Sequence, residues 1–204
     1  MISNLFALPV WKSSLKNEDF KPQLLKQIIE DYQNNKDYTV PGWDSIINSS
    51  MGRKDTVDYS PLIFYVKREY EKFVGSDHLN LGYHDYDITS FWYNYYIKGS
   101  SQEIHHHING NEGISAFSVV YYPKLNEDHP TISFWNPSQS VVYYEYEPKM
   151  KKIFNKQHSF TQLFHQMDVK EDDIIIFPSS LFHSVPSQRV EEPRVTVSLN
   201  ISFT

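Results

Sequence analysis

From Phe91 to Phe203 the sequence alternates short β-rich segments with turn residues, and this pattern limits the folds open to the chain. The segments are rich in Val, Ile, Tyr and Phe, and the breaks between them include Gly99 and Asn109-Gly110. Several short strands separated by turn signals are typical of an antiparallel sandwich or jelly roll. We therefore predict a mainly β fold after residue 90.

Two helices are predicted ahead of these strands. Near residues 18–32, apolar side chains recur with helical spacing and form one apolar face. Near residues 60–73, Ser60 and Pro61 suit the N-cap and the first helical position, and Gly75 suits the end. Both helices are expected to pack on the outside of a sheet. At 204 residues, the whole chain (1–204) is predicted to form a single domain.

Composition excludes several classes of site and partner. The absence of cysteine excludes disulfides, thiolate metal sites and cysteine nucleophiles, and leaves histidines and carboxylates as metal ligands. A formal net charge of −6 argues against a general nucleic-acid binder or a binder of anionic membranes. No apolar run has the length of a membrane span, and the N-terminus lacks a signal-peptide pattern. We therefore expect a cytoplasmic protein.

Three consecutive histidines, His105 to His107, lie in the predicted β region. Side chains alternate along a strand, so His105 and His107 point to one face and His106 to the other. Two neutral imidazoles on one face can bind a single transition-metal ion, with a third ligand from elsewhere in the fold. The best candidate is His183, which follows the apolar run 174–177. An accidental histidine run on a solvated strand is the alternative.

The last predicted strand carries a charge on one of its faces. One face combines the polar side chains, and the other combines the apolar ones: Arg194, Thr196, Ser198 and Asn200 against Val195, Val197, Leu199 and Ile201. A buried charge is unfavourable without a partner, and the planar guanidinium suits a carboxylate. Arg194 therefore indicates an anionic ligand inside the barrel. The alternative is a surface ion pair with Glu191 or Glu192.

The order of these blocks carries a resemblance to a known family. In chain order the blocks are Leu5 to Val10, Trp92 to Asn94 with Gly99, His105-x-His107, Val119 to Tyr122, Phe177 through His183, and Arg194 to Asn200. The chain resembles the iron(II)- and 2-oxoglutarate-dependent oxygenases, specifically the small bacterial and phage type with a prolyl-hydroxylase-like barrel. The resemblance implies a double-stranded β-helix and a dioxygenase that hydroxylates its substrate with Fe(II) and 2-oxoglutarate. It is weakest from 138 to 169.

The resemblance also implies roles for individual residues. Iron in this family is commonly held by two histidines and a carboxylate, and here His107 occupies the carboxylate position. The preferred ligand set is His105, His107 and His183; the alternatives are a frame shifted to Asn109 or only two histidines. Arg194 would bind the distal carboxylate of 2-oxoglutarate, with Thr196 or a tyrosine assisting and Asn94 within reach. No catalytic residue is implied beyond the metal site.

Several alternatives remain open from sequence alone. A cupin-like metal enzyme would use the same histidines without 2-oxoglutarate, and a non-enzymatic jelly-roll module would use neither. The substrate, whether a small molecule or a peptidyl side chain, and the oligomeric state are not specified. Between 138 and 169 the pattern predicts a strand at 141–147 and a short helix near 160–167.

Overall fold

The computed structural model describes residues 8–16, 18–77, 79, 81–82, 84–108, 115–137 and 163–204. The predicted strand at 141–147 and the turn at Asn109-Gly110 lie outside these residues. The described elements, in chain order, are β1 Trp11–Ser14, α1 Lys21–Asn34, β2 Asn48–Ser49, α2 Ser60–Val74, β3 Tyr86–Tyr96, β4 Gln102–His105, β5 Ser115–Lys124, β6 Ser133–Trp135, β7 Phe164–Gln166, β8 Asp173–Pro178, β9 His183–Val185 and β10 Arg194–Phe203.

The strands form two antiparallel sheets. The major sheet has the order β1-β8-β5-β10-β3-β2, and the minor sheet has the order β4-β9-β6-β7. Neighbours in each sheet are mostly distant in sequence, as in a jelly roll. The prediction of a mainly β fold with two preceding helices is confirmed. Among the described residues, no helix is both long enough and apolar enough to cross a membrane.

Strand β10 lies between β3 and β5 and divides the interior into two parts. Its apolar face is fully buried against the helices, and its members are Val195, Val197, Leu199 and Ile201. A second apolar cluster, which includes Tyr122, Phe134 and Phe177, contains residues of both sheets. The alternation predicted for this strand is therefore present, and its polar side chains face away from the larger core.

The two helices agree with the prediction to within a few residues. Helix α2 begins at Ser60 and is followed by Gly75, but its N-cap is Tyr59, not Ser60, and no side chain caps it. The Ser60 amide donates to Asp58 Oδ1 at 3.0 Å. Helix α1 begins at Lys21, not residue 18, because Pro22 favours the first turn. The short helix predicted near 160–167 is wrong where the chain is described, since Phe164–Gln166 is strand β7, paired with β6.

A buried ion pair connects helix α1 to the loop before α2 and to the major sheet. Asp31 is 4% exposed and accepts hydrogen bonds from Arg53 and from the Tyr93 hydroxyl, the latter at 2.7 Å. Arg53 also donates to the Tyr93 hydroxyl at 2.7 Å. Burial alone would raise the pKa of Asp31, but the Arg53 and Tyr93 hydrogen bonds and the Arg53 charge together lower it. The network therefore favours the ionised carboxylate.

Arg53→Met should destabilise the fold by roughly 3–5 kcal/mol, because it leaves the Asp31 carboxylate buried without its cation. Urea unfolding at pH 7 measures the change. The matched control is Glu30→Gln, which breaks the exposed Lys26–Glu30 pair on the same helix (3.9 Å) and should cost about 0.5 kcal/mol or less. Equal effects of the two substitutions would contradict the structural importance of the Asp31 network.

The contribution of Asp31 should also depend on pH. Its pKa is lower in the folded state than in the unfolded chain, where it is about 3.9. The stability that the carboxylate contributes is therefore fully present above that value and is lost as pH falls through the folded-state pKa. The difference in unfolding free energy between wild type and Asp31→Asn should shrink over that acidic range. A difference that grows on acidification would contradict the assignment.

Candidate metal and anion site

Three histidine side chains converge at the C-terminal end of β4, on the minor sheet. His105 and His183 are directly paired across β4 and β9, and His107 follows two residues after β4. One candidate ligand nitrogen from each ring lies within 4.8 Å of the other two. This group contains no aspartate or glutamate. His106 is exposed and packs on Phe182 instead, with ring centroids 4.8 Å apart. The arrangement has the period-2 geometry expected from the sequence.

Hydrogen bonds fix which nitrogen of the His105 ring and of the His183 ring is free. His105 Nδ1 donates to the Glu103 carbonyl oxygen and His183 Nδ1 to the Leu181 carbonyl oxygen, both at 2.9 Å. A carbonyl oxygen only accepts, so both rings carry the proton on Nδ1 and leave Nε2 with a lone pair. The Gln102 amide nitrogen lies 3.3 Å from His105 Nε2, which agrees with this tautomer. The Nε2 atoms are therefore available as ligands.

The same environment keeps the three imidazoles neutral. Burial lowers the pKa of His105, and it lowers the pKa of His107 to about 4, with repulsion from His105 adding to the effect. Burial and the neighbouring His105 and His107 lower the pKa of His183 well below its usual value. Metal ligation requires neutral imidazole. The site is therefore in its ligand form at neutral pH without a proton having to leave.

The histidines form one part of the wall of a cavity between the two sheets. Its wall is made by 14 residues, namely Trp92, Asn94, Tyr96, Gln102, His105, His107, Val120, Tyr122, Ile132, His183, Val185, Arg194, Thr196 and Ser198. All six residues proposed from sequence as metal or co-substrate contacts are among them.

Arg194 is a buried cation in this cavity whose charge is not matched by a described carboxylate. It is 1% exposed, and its Cζ lies 3.7 Å from the centroid of the Tyr96 ring. Nη1 donates to the Pro130 carbonyl oxygen, while Nε and Nη2 are buried without an acceptor among the described residues. Burial lowers the pKa of Arg194. The guanidinium therefore presents unused donors to an incoming anion.

The surface ion pair considered for Arg194 is not formed. Glu191 instead pairs with Lys98 at 2.6 Å, and Glu192 lies 3.4 Å from Lys124. The nearby acids are thus engaged with other cations on the outside of the molecule. Arg194 points from β10 into the cavity, as its alternation with Val195 requires.

Two more polar atoms in the cavity wall have no partner within the described part of the chain. Trp92 Nε1 is an unused donor, and Asn94 Oδ1 is an unused acceptor although its Nδ2 lies 3.4 Å from Ser198 Oγ. Thr196 lies beside them on β10 and is 4% exposed. Buried polar atoms without partners indicate a missing ligand or water. Three neutral imidazole nitrogens and an uncompensated cation fit a divalent metal together with a carboxylate ligand.

Sequence reasoning missed the second layer of the site. Ser118, Ser179 and Asn200 form a buried hydrogen-bonded group behind His107. Only Asn200 had a signal, because it continues the polar face of β10. Ser118 lies in a strand and Ser179 in a turn, and nothing in their local sequence indicated a contact with His107.

The long loop before α2 also reaches the site, with the Trp43 ring 6.4 Å from that of His105.

Comparison with known proteins gives a consistent result. A family model described as "Putative 2OG-Fe(II) oxygenase" matches residues 90–200, more than half of the chain. This stretch contains all six residues proposed for the site. No curated protein matches.

Solved structures share the fold at low sequence identity. A prolyl-4-hydroxylase from Pseudomonas putida aligns with TM-score 0.56 and 11% identity, covering 95% of this chain and 91% of that one. The α-ketoglutarate-dependent carbocyclase SnoK of nogalamycin biosynthesis gives 0.64 and 9%, covering 94% and 78%. A Trichoplax adhaerens prolyl hydroxylase, solved with a peptide fragment of hypoxia inducible factor, gives 0.55 and 15%, covering 95% and 83%. These matches establish the jelly-roll fold.

Proposed function

Because the chain belongs to the 2OG-Fe(II) oxygenase family, we propose that His105, His107 and His183 hold its iron(II) and that Arg194 holds its 2-oxoglutarate. The protein is an enzyme with these two cofactors, as the family membership establishes. The cupin-like and non-enzymatic alternatives have no support from the comparisons. What the proposal adds is the assignment of individual residues to each task.

The observation that carries the assignment is the buried Arg194 guanidinium in the same cavity as the three histidines. A cation in this environment is unfavourable until an anion reaches it. 2-Oxoglutarate has a carboxylate at each end and a keto oxygen beside one of them. One end therefore suits the two unused guanidinium donors, and the other suits a metal at the histidines. A metal enzyme without an anionic co-substrate would not need Arg194.

Asn94 and Thr196 are assigned to the walls that orient the co-substrate. Both line the cavity between the histidines and Arg194, on the neighbouring strands β3 and β10, where they are directly paired. The Thr196 hydroxyl can donate to a carboxylate. The Asn94 side chain offers an amide whose oxygen lacks a partner. These neutral contacts fix direction, and the guanidinium supplies most of the attraction.

The ligand set determines the charge of the site. Three neutral imidazoles would leave the full double charge on the metal, whereas a carboxylate ligand would cancel part of it. The full double charge favours binding of a dianion such as 2-oxoglutarate. When bound, iron(II) supplies the oxygen chemistry that couples decarboxylation of 2-oxoglutarate to succinate with hydroxylation of a substrate C–H bond. The protein's own residues hold and orient the reactants.

The substrate is proposed to approach from the partly exposed side of His105 and His107. Trp43 lies half-buried on that side, and Ile46 of the same loop is 67% exposed and pairs with Ser101 next to β4. We propose a small molecule or a peptide side chain as substrate, since both could reach this opening. We also propose a cytoplasmic location and a single domain over residues 1–204.

Purified protein should bind one iron(II) per chain, and His183→Ala should abolish stoichiometric binding. The reason is that His183 would supply one of the three nitrogens. Metal content after anaerobic loading and dialysis measures this. The matched control is His106→Ala, which removes the adjacent exposed imidazole and should leave one iron per chain. Full iron content in His183→Ala together with loss in His106→Ala would show that the assignment is wrong.

Arg194→Ala should weaken 2-oxoglutarate binding about 30- to 1,000-fold, because a charge-assisted bidentate pair contributes on the order of 2–4 kcal/mol. Arg194→Lys keeps the charge without the planar fork and should also bind more weakly. Iron binding should be nearly unchanged in both. Titration of the anaerobic iron(II) form, followed by its metal-to-ligand charge-transfer absorption, measures the affinity.

The control for this titration is Arg189→Ala, which removes an exposed arginine five residues away and should leave the affinity unchanged. Succinate formation from 2-oxoglutarate provides an independent readout. If Arg194→Ala binds 2-oxoglutarate as tightly as wild type does, the role of Arg194 is refuted. If wild type forms no succinate with any substrate tested but binds the metal, the cupin-like alternative regains support.

A further inference from the structure

His107 differs from the other two histidines in what holds its second nitrogen. His105 and His183 each donate from Nδ1 to a backbone carbonyl oxygen two residues earlier, which no substitution can remove. His107 Nδ1 instead lies 2.9 Å from Asn200 Oδ1 and 2.9 Å from Ser118 Oγ. The orientation of this one ring therefore depends on side chains.

The side chains behind His107 are buried and are linked to one another by hydrogen bonds. Asn200 is 9% exposed and Ser118 is fully buried. The Asn200 amide nitrogen donates to Ser90 Oγ at 3.0 Å, which leaves its oxygen directed at His107. Ser118 Oγ also lies 2.8 Å from Ser179 Oγ, and the His107 backbone amide donates to the Ser179 carbonyl at 2.9 Å. Both the ring and its backbone are thus tied to one cluster.

The chemistry of the cluster selects one tautomer. An amide oxygen only accepts, so His107 Nδ1 must carry the proton when it faces Asn200. Its Nε2 then has a free lone pair on the side of His105 and His183. The opposite tautomer would place two acceptors against each other at Asn200 and would turn an N–H toward the metal position. Without the cluster, nothing else in the described contacts of His107 Nδ1 prevents that tautomer.

We infer that Asn200 and Ser118 are positioning residues that hold His107 in the Nδ1–H tautomer and thereby prepare it to bind the metal. The inference rests on the proposed function, because it assigns a purpose to His107 as a ligand. The hydrogen-bond partners of this imidazole are an uncharged amide and a hydroxyl. A carboxylate in the same position would feed negative charge into the ring. Neither the imidazole ligands nor the side chains that hydrogen-bond to them would therefore cancel the positive charge of a bound metal.

The first test uses the metal-free wild-type protein and needs no substitution in the cluster. Long-range proton–nitrogen correlation spectra of ¹⁵N-labelled protein distinguish the two neutral tautomers of each imidazole. The His107 signals are identified by their loss in His107→Ala. We expect His107 as the Nδ1–H tautomer at neutral pH. Finding it as the Nε2–H tautomer would overturn the inference, whatever the metal affinity.

The second test measures the affinity for cobalt(II) by its visible absorption. Asn200→Leu, alone and combined with Ser118→Ala, should weaken binding by about 10- to 100-fold, with the double variant at the upper end. Asn200→Asp keeps an acceptor oxygen and should bind at least as tightly as wild type. Ser202→Ala is the matched control: it removes a buried hydroxyl on the same face of β10 that contacts Thr89 and not His107. Its affinity should be unchanged.

Failure of this inference can be separated from failure of the proposed function. If His107→Ala binds cobalt(II) as tightly as wild type, His107 is not a ligand and the proposed function is wrong at that residue. If His107→Ala loses affinity but folded Asn200→Leu and the double variant stay within twofold of wild type, only the positioning role is wrong. Equal losses in Asn200→Leu and Asn200→Asp would also overturn it, since the acceptor would then not matter.

Discussion

The site depends on the alternation of side chains along β10. This strand is paired on both sides, with β3 and with β5, so neither of its faces can rotate away from its surroundings. Val195 and its apolar companions fill the core beneath the helices. That packing forces Arg194 into the cavity on the other side, although a buried guanidinium is unfavourable by itself. The hydrophobic core therefore maintains the charge of the binding site.

The same strand contributes to both ends of the cavity. Arg194 begins it, and Asn200, six residues later, contacts the ring of His107. Because a strand is stiff along its length, the spacing between the cation and the histidine cluster is set by backbone geometry and not by flexible side chains. His105 and His183 are fixed in a similar way by direct cross-strand pairing. Sites on paired strands hold their geometry better than sites on loops.

The sequence predicted what depends on local periodicity. Alternation was enough to predict the two faces of β10 and the separation of His105 and His107 from His106. Helix α2 was predicted almost to the residue because Pro61 and Gly75 mark its ends. The boundary error in α1 and the helix wrongly predicted at Phe164 have another origin. At the start of α1, Pro22 favours the first turn. At Phe164 the apolar spacing was compatible with more than one structure, and pairing with β6 decided the outcome.

Contacts between distant segments could not be read from the sequence. That Ser118, Ser179 and Asn200 meet behind His107 follows from the order of β5, β8 and β10 in the major sheet. The pairing of Glu191 and Glu192 with lysines, which leaves Arg194 without a described acid, likewise depends on where loops run. Such facts arise from tertiary packing, and a pattern in one stretch of chain contains no information about them.

The uncompensated Arg194 has a consequence for the protein as a whole. A folded state that buries a cation without a counter-ion is less stable than it would be with the cavity filled, so ligand binding and folding are thermodynamically linked. A ligand that binds only the folded chain stabilises it by about 2.7 kcal/mol at 100 times its dissociation constant. The supply of the anion would then govern how often the chain opens and how quickly proteases remove it. If Arg194 binds 2-oxoglutarate as proposed, this single buried side chain would make the lifetime of the enzyme respond to the abundance of its co-substrate.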